Sequence, residues 1–175
     1  VSSIAIESEV DERYLLEWLS SNAARGYVTY DDDRQLFSLS PEQAAVFARE
    51  NEPTCIQGLI QGVVGQFVNQ DIAIDVFKTG RGRPWGEHHE CCFCGTERFF
   101  RPAYASHLLD EWIPALEGVE EKLSKGAKVA DIGCGLGTSS ILMAEKFPNS
   151  TIHAYDFHAP STEEARKRAA SQGLN

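Results

Sequence analysis

Residues 128–158, KVADIGCGLGTSSILMAEKFPNSTIHAYDFH, decide how the rest of the chain is read. Val129 to Ile132 form a short apolar run that predicts a strand. Gly133, Gly135 and Gly137 follow as a turn, and a helix is expected over 138–147, ended by Pro148 and Asn149. A second strand is predicted over 151–155, closing on Asp156. Strand, glycine turn, helix and second strand make a right-handed crossover unit, whose ligand sits beyond the carboxyl ends of the strands.

The spacing separates two ligand classes. A dinucleotide site wants G-x-G-x-x-G, so that a pyrophosphate approaches the helix N-terminus. Here the pattern is G-x-G-x-G, and Asp131 stands two residues before the first glycine. A carboxylate there repels a pyrophosphate and attracts an ammonium group. Asp156, at the end of the second strand, is placed to accept hydrogen bonds from ribose hydroxyls. A nucleoside with an amino-acid tail satisfies both acids, and S-adenosylmethionine is such a molecule. The bland alternative, a glycine turn that merely reverses the chain, leaves the two acids unexplained. A dinucleotide oxidoreductase fails on the glycine spacing.

With 175 residues, the chain has room for one ordinary domain or two small ones. Net charge is -10, and residues 1–50 carry ten acids against four bases. That balance disfavours nucleic acid as a partner, because such binding rests on neutralising phosphates. The longest apolar stretch, 55–68, is interrupted by Gln57, Gln61, Gln66 and three glycines, which argues against a membrane span. Five cysteines without an export signal read as reduced thiols in a cytoplasmic protein.

Upstream, Tyr14, Leu15, Trp18 and Leu19 recur at helical spacing, and Gly26 stops that helix. Short strands are expected over 27–30 and 36–39, joined by the polar turn 31–34. A helix followed by an acidic-tipped ribbon is the tail of a winged-helix unit, here 1–52, and Val1 is expected to lie inside that domain. Ser40 and Pro41 open another helix. Leu59, Ile60, Val63, Val64, Phe67 and Val68 then predict a buried connector helix of the kind that packs on a partner subunit. The connector, 53–126, contains an expected irregular loop at 79–97, TGRGRPWGEHHECCFCGTE. Its HHECCFC segment, 88–94, offers nitrogen and sulfur ligands, but one tight loop does not easily aim four of them at one zinc ion, so no metal is assigned. His88 or His89 is an alternative general base without an identifiable partner. Trp85 is either a pocket wall or a loop anchor; Trp18 and Trp112 are read as buried on helical faces. Arg166, Lys167 and Arg168 read as a solvated helix face.

The stretch from Val129 to His158 resembles the first motif and following strand of class I S-adenosylmethionine-dependent methyltransferases. The wider pattern, with FKTGRGRPW and RPAY, resembles a subfamily with a winged-helix front end. The fold implied is α/β: a helical winged-helix tail, then the start of a Rossmann-like domain at 127–175. By this resemblance Asp131, Gly133, Gly135 and Gly137 cradle the methionine end of the cofactor, with Cys134 as a small filler within the turn. Asp156 holds the ribose, and Phe157 and His158 border the adenine. Ser161 and Glu164 are read as capping the helix that follows. The family sheet has seven strands, so the chain is expected to be a fragment that does not turn over alone. The activity implied is methyl transfer to an unidentified, small-molecule acceptor by a homodimer. The competing reading is a non-catalytic, cofactor-sensing transcriptional regulator, which the acidic front end disfavours.

Overall fold

The computed structural model describes residues 1–174, which divide into two units, Val1–Arg49 and a second from Glu50 onward. In the first, α1 (Ser2–Glu7) precedes α2 (Glu12–Ala24). Asp11 starts α2 by accepting the Tyr14 N–H, and Gly26, at φ +76°, takes the left-handed conformation just past its end. Strands β1 (Thr29–Asp31) and β2 (Leu36–Ser38) form an antiparallel ribbon in which Tyr30 faces Phe37, their rings 4.7 Å apart. Helix α3 (Pro41–Phe47) opens with a capping box between Ser40 and Gln43. Gln43 also donates to the Gly26 carbonyl at 2.7 Å, tying α3 to the end of α2.

Trp18 departs from its expected burial. It is 60% exposed and Tyr14, one turn earlier, 79%, while Leu19 is buried. A unit this small has one buried face to offer the helix, and Leu19 takes it.

The second unit begins with α4 (Gln57–Val68) and α5 (Gln70–Thr79). Helix α4 corrects the expectation of burial. Gly58 and Gly65 face inward, and Leu59, Ile60, Val63, Val64, Phe67 and Val68 are exposed. The reason is the close approach of α6 (Glu90–Ala103): a Cβ added at Gly95 would stand 2.4 Å from the Gly62 nitrogen, and one at Gly58 2.3 Å from the Phe99 nitrogen. Backbones that close admit only glycine on the shared face.

The loop expected over 79–97 is also shorter than read. Irregular backbone runs over 80–89, with a 3-10 turn at Trp85–Glu87, and α6 starts at Glu90 with the His89 imidazole accepting the Cys91 N–H. Pro102, lacking an N–H, lies inside α6, and the chain continues as a π-helix over Tyr104–Trp112.

Helix α7 (Val119–Lys125) leads into β3 (Lys128–Ile132), α8 (Thr138–Lys146), β4 (Thr151–Tyr155) and α9 (Ala159–Ser171). Strands β3 and β4 pair in parallel, Lys128 opposite Thr151 and Ile132 opposite Tyr155. Ile113, Leu123 and Phe147 form the buried core beneath them, with Val129 and Met143 packed alongside. Ile132, at the strand end, is 77% exposed. Helix α9 begins three residues earlier than the Ser161 and Glu164 capping pattern predicts. His158 holds the cap position, and its imidazole pairs with the buried Ser161 hydroxyl.

Candidate functional site

The turn between β3 and α8 is held from both strand ends. Gly133, Gly135 and Gly137 have φ of +83°, +55° and +83°, a region that favours glycine. The N–H groups of Gly133 and Cys134 both donate to the Tyr155 carbonyl, at 2.7 and 3.0 Å. Asp156 accepts the Gly135 N–H through one oxygen, at 2.9 Å, and the His158 N–H through the other, at 2.8 Å. Asp131 accepts the hydroxyls of Ser139 and Ser140, both at 2.7 Å. The two acids therefore flank the turn, one beneath the start of α8 and one behind the turn itself.

The three glycines differ in what surrounds them. A Cβ at Gly133 or Gly135 would meet nothing within 4 Å, whereas one at Gly137 would stand 2.9 Å from the Ala165 Cβ. Gly137 serves packing against α9, and the first two leave the backbone open. Burial, then the carboxylates of Asp131 and Asp156, push the pKa of the buried Cys134 thiol up, which favours its neutral form.

Asp131, Gly133, Cys134 and Gly135 line one side of a cleft of about 160 Å³. The other side comes from the connector: Trp85, and Phe93, Glu97, Phe100 and Tyr104 from α6 and its π-helical continuation. Of the remaining candidates, Phe157 is 79% exposed, and His158 stacks on Phe93 with ring centroids 4.7 Å apart. Trp85 meets Phe93 edge-on at 5.2 Å, so it joins both readings: it walls the cleft and anchors its loop.

The α6 wall is what the sequence reading missed. Phe93, Glu97, Phe100 and Tyr104 follow the helical period, but that signal ran through the His- and Cys-rich segment taken as loop. Those cysteines now have places. Cys92 is buried under Gln66, while Cys91 and Cys94 stand one turn apart on α6. Among the described residues, no three of His, Cys, Asp and Glu gather about a point where a metal ion would sit. His88 packs on Trp85 at 5.3 Å; burial and then the neighbouring Arg83 push its pKa down, against the pull of Glu87. Arg168, read as solvated, instead turns inward to Glu97 at 3.0 Å.

The donor set suits S-adenosylmethionine. The turn offers open backbone at Gly133 and Gly135 beside the N-terminus of α8, where a carboxylate is welcome. Asp131 and Asp156 supply acceptors for an ammonium and for ribose hydroxyls. Aromatic faces stand opposite.

Comparison with known proteins decides the family. Residues 1–49 match the model of the Rv2258c-like winged HTH domain, and residues 123–175 match that of a methyltransferase domain. The chain joins an Rv2258c-like winged HTH domain to a methyltransferase domain, the arrangement of a class I S-adenosylmethionine-dependent methyltransferase with an N-terminal winged helix. Among solved structures, this chain is similar to the mitomycin 7-O-methyltransferase MmcR (TM-score 0.64, 18% identity, covering 99% of this chain and 52% of that one). It is also similar to an O-methyltransferase family protein from Burkholderia thailandensis (TM-score 0.60, 15% identity, 99% and 51%). At such identities the likeness speaks for the fold. A tRNA (guanine-N(7)-)-methyltransferase of Botryotinia fuckeliana is 38% identical over 78 residues, covering 38% of this chain and 26% of that protein. The chain thus spans about half the length of the structures it resembles. Among the described residues no helix is long and apolar enough to cross a membrane.

Proposed function

We propose that the chain supplies the cofactor-binding part of a methyltransferase acting on a small-molecule acceptor. The observation that carries the reading is the G-x-G-x-G turn, open at Gly133 and Gly135 and flanked by Asp131 and Asp156 at the ends of two paired parallel strands. Bound S-adenosylmethionine supplies an electrophilic methyl group whose bond to sulfur breaks, the electron pair leaving with sulfur, as the acceptor atom bonds to carbon. The chain's own part is positional. The turn and Asp131 hold the methionine end, and Asp156 the ribose. The aromatic residues of α6 line the cleft opposite the turn and offer an apolar surface that favours exclusion of water, which an in-line displacement chiefly requires. No acid or base is needed for that step when the acceptor is already nucleophilic.

The acidic first fifty residues, with a ribbon tip of three aspartates, favour a protein-facing over a nucleic-acid-facing role for the winged helix. The exposed apolar residues of α4 favour subunit pairing. Five free cysteines support a reducing compartment.

Calorimetry with S-adenosylmethionine and its demethylated product tests the cofactor assignment. Asp156→Ala removes an acceptor of two charge-assisted hydrogen bonds and should weaken binding by about 2–4 kcal/mol. Equal affinity in wild type and variant would overturn the ribose assignment.

A further inference from the structure

Helix α8 starts on the cleft without a cap of its own. Gly137 holds the cap position with no side chain to offer, and no acid stands in the first turn. The helix recruits two carboxylates from elsewhere in the fold. Asp131 takes Ser139 and Ser140, and Glu97, 41 positions before Thr138, takes the Thr138 hydroxyl at 3.1 Å. Glu97 is the more heavily engaged acid. Its side chain is 12% exposed, Arg168 of α9 reaches the same oxygen at 3.0 Å, and Arg101 lies 3.6 Å from the other. Burial works against the Arg168 charge, but its hydrogen bonds to Glu97 and Glu164 outweigh that and raise its pKa, so Arg168 stays charged.

Glu97 also lines the cleft, between Phe93 and Phe100 on the aromatic wall. One carboxylate thus joins the three helices that meet there: its own α6, α8 directly after the glycine turn, and α9 behind it. We propose that Glu97 is a positioning residue of the cofactor cleft, fixing the spacing between the aromatic wall and the glycine turn through Thr138. The inference rests on the cofactor reading above. It assigns Glu97 no contact with the reacting atoms. Its effect on ligands passes through the place of α6 relative to α8.

The test is a double-mutant cycle on the full chain, titrating S-adenosylmethionine and its demethylated product by calorimetry while following thermal unfolding. Glu97→Ala cuts all three links and is expected to weaken both ligands equally, by about tenfold, a loss of order one charge-assisted hydrogen bond. Thr138→Val, nearly isosteric and mild toward folding, removes one link and should weaken both by about threefold. Glu97→Gln keeps an acceptor for Thr138 and should recover most of the affinity lost in the alanine variant. In the double variant, the loss should equal that of Glu97→Ala alone, because the two side chains act through one link. Additive losses, unchanged affinity in Glu97→Ala and Thr138→Val, or a loss confined to the positively charged sulfonium ligand would each overturn the proposal. The last of these would mean direct contact with the ligand. Failure of the wild type to bind either ligand would overturn the cofactor reading together with this inference, an outcome distinct from wild type and variants binding alike.

Discussion

Alanine at Gly137 and alanine at Gly133 should fail in opposite ways, although both glycines sit at φ +83° in the same turn. Placing a Cβ in that conformation costs about 1–2 kcal/mol at either position. At Gly137 the new Cβ also lies 2.9 Å from the Ala165 Cβ and 3.4 Å from its Cα. Neither neighbour is the end of a flexible chain, so α9 must move, adding an overpacking cost of about 1–3 kcal/mol. Gly137→Ala should therefore destabilise the second unit by about 2–5 kcal/mol, read as a shift in the urea midpoint. Gly133→Ala meets nothing within 4 Å and should lose only the conformational share. Its methyl group projects instead into open space beside the cleft, so its main effect should appear in calorimetry as weakened cofactor binding. Equal destabilisation by the two substitutions, or a Gly133→Ala variant that binds like wild type, would refute this division of labour within the turn.

Gly95→Ala should unfold the second unit outright or cost about 3 kcal/mol or more, since its Cβ would meet the Gly62 nitrogen at 2.4 Å and the Gly58 oxygen at 2.7 Å; circular dichroism melts check it. Ser40→Ala removes half of the capping box and should cost the first unit about 1 kcal/mol in denaturant titrations. His88 should make stability pH-dependent. Its folded pKa lies below the ordinary value near 6.5, so the unfolded chain binds more protons below that value. The contribution is complete above about pH 6.5 and is lost as pH falls toward the depressed folded value. His88→Gln should flatten that part of the urea-midpoint profile.

The segment from β3 to β4 was legible because its signals are local. Gly133 to Gly137, Pro148 and Asn149 punctuate it, and the strand expected over 151–155 is the strand observed. The cap of α3 was equally plain, since Ser40, Pro41 and Gln43 act within one turn. What escaped depends on partners distant in sequence. Large apolar residues on α4 ordinarily point inward, yet the approach of α6, some thirty residues on, reserves that side for Gly58 and Gly65. The cleft wall is hidden for a chemical reason: histidines and cysteines at 88–94 look like ligands, which masks the helical spacing that runs through them. Glu97 carries no local mark at all, because Thr138 and Arg168 become its neighbours only after folding.

The π-helix over Tyr104–Trp112 has a consequence for how this chain can change over generations. Winding with i→i+5 bonds is equivalent to storing a surplus residue inside a rod that is otherwise α-helical. Dropping that residue would let the ladder close to the ordinary spacing while the segments on either side keep their facing. Upstream lies the wall that carries Phe93 and Phe100; downstream, Ile113 plugs the core with Leu123 and Phe147. The stretch thus acts as a length buffer, where a lineage can gain or lose a codon without rewiring either neighbour.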